Sequence, residues 1–213
     1  MKNASWFPKF LLAAYLVVFV WLGWEPYDRA VWYAENGPIF AIAAYLTFLY
    51  FRGVQFSNFS YAMMAVLLFV HTVGGHYTFE RVPFDWFNNF FGFERNMYDR
   101  VGHFSVGFYA FAIAEYIQKK AVANTKWVTY LLPFFFIMAL AAAYELFEWW
   151  YAVTFGGSAG VAFLGSQGDV WDAQKDILMD TLGAVFALGV YFWRECATIK
   201  GPRNASGFSG DIN

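Results

Sequence analysis

Six apolar runs set the plan of this chain: residues 6–24, 38–51, 57–76, 101–118, 127–150 and 176–193. Each approaches the ~20 residues that carry a helix across ~30 Å of hydrocarbon, although the second is short and must borrow from its flanks. Trp and Tyr crowd the ends of most runs, as they do at membrane–water interfaces. The pattern predicts an all-α bundle of six transmembrane helices. No internal repeat is visible, so a duplicated transporter architecture has no support here.

Loop charges orient the bundle. Lys2 and Lys9 precede the first run, Arg52 lies between the second and third, and Lys119, Lys120 and Lys126 separate the fourth from the fifth. Arg194, Lys200 and Arg203 follow the sixth. The alternation predicts that both termini are cytoplasmic, with loops 25–37, 77–100 and 151–175 outside. The first run follows two lysines as a signal peptide would, but ends in Trp21-Leu-Gly-Trp24 without a small-x-small cleavage site, and reads as a retained helix. Residues 1–200 form a single transmembrane domain in this reading, and 201–213 a short disordered cytoplasmic tail. The expected location is the inner (plasma) membrane, with the functional face periplasmic or extracellular.

Composition narrows the function classes. Only 14% of the 213 residues are charged, against roughly 25% in a soluble domain. A net charge of −2 offers no basic footprint for nucleic acid. Cys196 is the single cysteine, which excludes an internal disulfide and a multi-thiolate metal site.

The chemistry gathers in one slab. Asp169, Asp172, Asp176 and Asp180 are spaced three, four and four, which places them on one helical stripe continued by Gly183 and Ala187. Asp169 reads as an N-cap and Asp172 as a partner of the helix dipole. Asp176 and Asp180 fall where the membrane has begun, and ionisable groups there mark function by default. At 1.5 Å per residue from the cytoplasmic boundary, His71 and Asp180 lie at ~21 Å, His103 at ~24 Å, Asp176 at ~27 Å, His76 and Glu145 at ~28 Å and Asp99 at ~30 Å. All three histidines are in this outer shelf.

Asp99 and His103 stand at i and i+4, suited to two metal ligands, to a carboxylate orienting a histidine, or to a simple capping hydrogen bond. His71 and His76 do not share a face of an ideal helix. A kink at Gly74-Gly75 would bring them together; otherwise His76 pairs with Glu80 or is an interfacial, hydrogen-bonded residue. Glu145 and Glu148 occupy adjacent turns as in carboxylate-bridged metal sites, with Glu148 able to reach water beside Trp149 and Trp150. Glu115 and Lys119 read as a surface i, i+4 ion pair near the cytoplasmic face.

Imidazole with carboxylate suits a divalent metal such as Zn, Mn or Fe. The expected ligands are His71, Asp99, His103 and Asp180, with His76 as a further candidate, and Glu145 or Asp176 serves as general base to a metal-bound water. The expectation is a metal-dependent hydrolase acting on a membrane lipid or cell-envelope substrate, with the aromatic residues of 77–98 covering the site. A non-enzymatic metal- or ligand-binding sensor and a purely structural polar network are the alternatives.

The stretches HTVGGHYTFERVPFDWF (71–87), RNMYDRVGHFSVGFYA (95–110), YELFEWW (144–150) and GDVWDAQKDILMDTLGA (168–184) carry a resemblance to the YjdF family of uncharacterised bacterial inner-membrane proteins. It spans nearly the whole chain and implies a multi-pass inner-membrane protein without implying an activity. A weaker, fold-level likeness is to VanZ-like membrane proteins, through Asp99-Arg-x-x-His103-Phe, Glu145 and Asp176…Asp180…Gly183, with Arg100 where that group commonly has lysine.

Overall fold

The structure, a computed structural model, describes residues 6–123, 125–155, 157, 164 and 166–200. Helices dominate them, and no strand is present among them. We number the helices α1 (Phe7–Trp24), α2 (Arg29–Phe51), α3 (Asn58–Tyr77), α4 (Asp85–Phe91), α5 (Tyr98–Val106), α6 (Tyr109–Lys119), α7 (Lys126–Phe155) and α8 (Asp172–Lys200). Four of them, α1, α3, α7 and α8, are long and apolar enough to cross a membrane. The expected tail and part of the expected loop 151–175 lie outside the described residues.

Two apolar runs fold differently from the sequence reading. The short second run belongs to a helix that starts nine residues earlier. Asp28 caps it by accepting from the backbone N–H groups of Ala30 and Val31 at 2.8 and 3.0 Å. This stabilises the first turn, and Pro38 is carried inside the helix. A proline there leaves a carbonyl one turn back without its partner but does not end this helix. The fourth run divides into α5 and α6. At the junction Phe108, Ala110 and Phe111 donate to carbonyls three residues back, so the turn tightens while the chain keeps its direction.

Packing explains the tightening. A Cβ on Gly107 would fall against the backbone of Gly183 and Ala184, and one on Gly183 would fall on the Phe104 carbonyl. The two glycines let the α5–α6 junction and α8 approach backbone to backbone, as small residues do where membrane helices cross closely. One apolar core follows from that crossing: Ala110, Phe111 and Ala114 of α6 meet Ile137 of α7 and Ala184, Ala187 and Leu188 of α8. A second joins Tyr15 of α1 to Ile39 and Ala43 of α2 and Leu67 and Leu68 of α3. Helix α3 packs against α1, α2, α5 and α6 and so ties the halves together. Tyr15 is the only buried residue of α1, whose remaining apolar surface points outward as lipid-facing surface would.

Glu115 makes the expected i, i+4 ion pair with Lys119 but is itself buried. It is 6% exposed and accepts from the Ser57 amide and hydroxyl at 2.8 Å each, besides bonding Ser60 and Lys119. It thereby satisfies the first turn of α3 from α6.

The crossing makes a testable demand. Gly183→Ala should cost about 1–3 kcal/mol, as overpacking does, seen as a lowered melting temperature in detergent. Gly189→Ala, on the same helix where a new Cβ meets nothing, should leave it unchanged or slightly raised.

Candidate functional site

Helix α5 presents Asp99 and His103 one turn apart, and α8 presents Asp172, Asp176 and Asp180 on a single stripe. The Gly107–Gly183 crossing turns these two faces toward each other. His103 Nε2 lies 3.6 Å from Asp99 Oδ1 and 3.5 Å from Asp176 Oδ1, while its Nδ1 lies 3.3 Å from Asp180 Oδ2. Asp99, His103 and Asp176 each offer one ligand atom within 4.8 Å of the others, the geometry of a candidate metal triad. Asp180 stands behind it, on the opposite ring nitrogen, and its second oxygen is buried with no hydrogen-bond partner.

Two arginines complete the cluster, and the sequence reading assigned neither to it. Arg100 is 4% exposed; its guanidinium bonds Asp176 and, at 2.5 Å, Asp172. Arg95 reaches Asp172 at 2.6 Å and Asp99 at 3.5 Å. Asp172, expected to serve only the helix dipole, is thus a close partner of both, and Asp169 and Asp99 each lie 3.5 Å from both. The available signal was three arginines, Arg81, Arg95 and Arg100, in a loop expected to face outward, against the positive-inside trend. Outside the helices, Asp169 accepts from Lys175 Nζ at 2.6 Å and from the Trp171 amide at 3.1 Å. Those bonds hold its carboxyl below the usual carboxylate range. Gln167 accepts from the Asn96 amide and donates to the Asn96 carbonyl, stapling the approach to α8 onto the approach to α5.

The remaining expected site residues are dispersed. His71 is buried on α3, with Nε2 3.7 Å from Glu35 Oε2 of α2 and its ring edge-on to Phe79; it is outside the triad. Helix α3 continues unbroken through Gly74 and Gly75, where a Cβ would strike Phe79 and Asn36 respectively. The glycines admit those side chains and do not end the helix. His76 consequently faces α1, with Nδ1 2.7 Å from the Leu22 carbonyl. That removes it from the cluster. Nor does Glu80 pair with it: the helix ends at Tyr77, and Glu80 meets Arg81 at 3.1 Å. Glu145 has a buried oxygen without a partner but does not line the cavity described next. Glu148, expected to reach water, does line it and is 8% exposed.

That cavity, of about 830 Å³, begins at Glu35, His71, Asp99, His103, Glu148, Asp176 and Asp180. It continues along apolar walls from α2, α3, α6 and α7. Among the aromatic residues of 77–98 expected to cover the site, Phe79 alone lines it; Phe84, Phe87, Phe91 and Phe93 pack on one another around α4.

Comparison with known proteins agrees with this picture of an apolar helical bundle. A family model described as "Predicted membrane protein (DUF2238)" matches residues 7–196. The inner membrane protein YjdF of Escherichia coli (strain K12) is 32% identical over 172 residues, covering 79% of this chain and 81% of that protein. No solved structure matches. With four membrane-length helices and a match over nearly its whole length, the chain is a multi-pass inner-membrane protein that belongs to the DUF2238 family of predicted membrane proteins.

Proposed function

We propose that the Asp99–His103–Asp176 triad binds a divalent metal (Zn, Mn or Fe) on the outer side of the membrane. In this reading the protein is a hydrolase acting on a lipid or cell-envelope substrate. The observation that carries the metal reading is the division of His103: Nε2 toward two carboxylates, Nδ1 toward a third. A ligating histidine that donates its other ring N–H to a carboxylate is held in one tautomer and orientation. Asp180 is then a positioning residue for His103. One nitrogen and two oxygens leave coordination positions open for water, as in catalytic metal sites. Glu145 does not line this cavity, and the α7 carboxylate that does is Glu148. A lipid substrate is supported by the cavity itself, which joins this polar shelf to a long apolar interior.

One observation favours a second reading. Arg100 already bonds Asp176, a proposed ligand, so the cluster is also consistent with a metal-free ion-pair network. The two readings differ in elemental analysis of protein purified without chelator and supplemented with Zn, Mn or Fe. Under our proposal close to one metal per chain is found and is lost in His103→Ala. Asp180→Asn, which keeps shape and loses charge, weakens affinity about 10–100-fold. Wild-type protein that stays metal-free after supplementation would leave only the network.

We infer further that α2 and the α5–α6 pair also span, making six crossings with both termini cytoplasmic. Each has the length for it, and the basic loops alternate. In a Cys196→Ser background, Asn89→Cys should be labelled by an impermeant maleimide from outside and Val122→Cys only from within. The reverse pattern would move the whole site to the cytoplasmic side.

A further inference from the structure

The cavity is open along one side for a structural reason. Helix α2 packs closely on α3 but not on α7, and α7 packs on α6 and α8. The space between α2 and α7 is therefore a cleft, floored by α3, α5 and α6. Its α2 wall runs from Glu35 to Leu49, fifteen residues that rise ~21 Å along the helix. Pro38, Ile42, Leu46 and Leu49 line that wall, facing Leu132, Phe136, Leu140 and Ala141 of α7. A channel of that length exceeds the ~15 Å that is half of a ~30 Å hydrocarbon core. It matches one extended lipid chain in length and in the apolar character of its walls.

The other end is rich in acids. Glu35, Asp99, Glu148, Asp176 and Asp180 line it together with His71 and His103, and among the described residues no lysine or arginine does. Arg100 and Arg95 bond Asp172, Asp176 and Asp99 from the side away from the cavity lining, on the approach to α8. Glu35 and Glu148, on the facing walls α2 and α7, have no arginine partner among the described residues; the ion-pair partner of Glu35 there is His71 at 3.7 Å. Beside them His71 is 8% exposed with Nδ1 unpartnered, and the Tyr144 hydroxyl is buried without a partner. Buried polar atoms left without partners are costly and mark a missing one. Two carboxylates, an imidazole and a phenol around one space call for a cationic hydrogen-bond donor.

We propose that the cleft binds a membrane lipid carrying a primary amine in its head. One hydrocarbon chain lies between α2 and α7, and the ammonium is held by Glu35 and Glu148. The lipid slides in sideways from the bilayer. This deepens the reading above by naming the substrate class; it rests on the lipid half of that reading and does not require the metal.

The test uses full-length protein in nanodiscs made of equal parts phosphatidylethanolamine and phosphatidylglycerol, released gently and weighed by native mass spectrometry, with and without prior EDTA treatment. Wild type should retain one lipid, the amine-headed species favoured about tenfold, the worth of one charge-assisted hydrogen bond. Glu35→Gln/Glu148→Gln should keep a lipid and lose the preference. Ile42→Trp should retain none; should it not fold, Ala41→Trp, an exposed position on the same wall, gives the same readout. Equal retention of both lipids by wild type, an unchanged preference in the double variant, or a second copy of the chain retained in place of lipid would each overturn the inference. Selective retention surviving EDTA, with no metal in elemental analysis, would uphold it while removing the metal. A bound metal without lipid selectivity would do the opposite.

Discussion

The approach of α5–α6 to α8 at Gly107 and Gly183 governs the rest of the molecule. Side chains at either position would meet backbone, so the helices can come this close only because neither has one. Above the crossing, the closeness forces Asp99 and His103 onto the Asp172–Asp176–Asp180 stripe. Below it, alanines of α6 and α8 mesh with Ile137 of α7 into a dry core. A polar shelf and an apolar body thus share one geometric cause.

Bringing so many carboxylates together in an apolar bundle would be prohibitive without compensation, since each buried charge loses its hydration. The compensation is divided. Arg100 and Arg95 take Asp172 and part of Asp176 and Asp99, while His103 is shared among Asp99, Asp176 and Asp180. Glu35, Glu148 and the second oxygen of Asp180 stand outside this matching and on the cavity. That imbalance separates a site from scaffolding: arginines serve the side toward the α8 approach, and among the described residues neither arginine nor lysine lines the cavity. Charged groups kept at such cost are usually those a ligand completes.

The two proposals are joined by the same cavity. A metal at His103 and an ammonium between Glu35 and Glu148 would meet the two unlike charges of a zwitterionic head, with the chain trailing along α2. Glu115 plays a contrasting part near the other end of the cleft. Its oxygens are occupied by Ser57, Ser60 and Lys119, so that buried acid is a strut.

Much of this was legible in the linear pattern. Long apolar runs between aromatic and charged borders specify membrane helices, because hydrocarbon tolerates little else. The Asp stripe and the Asp99–His103 pair followed from helical spacing alone, and depth put them at one level. The dispersal of the histidines was not legible. Depth along a helix says nothing about direction around the bundle, and His71, His76 and His103 at similar depth face three different neighbours. Pro38 hid the start of α2, and with it Glu35, because whether a helix ends at a proline depends on the capping and packing before it. Arg100 looked like a loop charge until α8 was beside it. Local sequence determines which residues are helical and how deep they lie; only the close crossing of helices far apart in the chain decides which of them touch, since those contacts form between segments that share no local pattern.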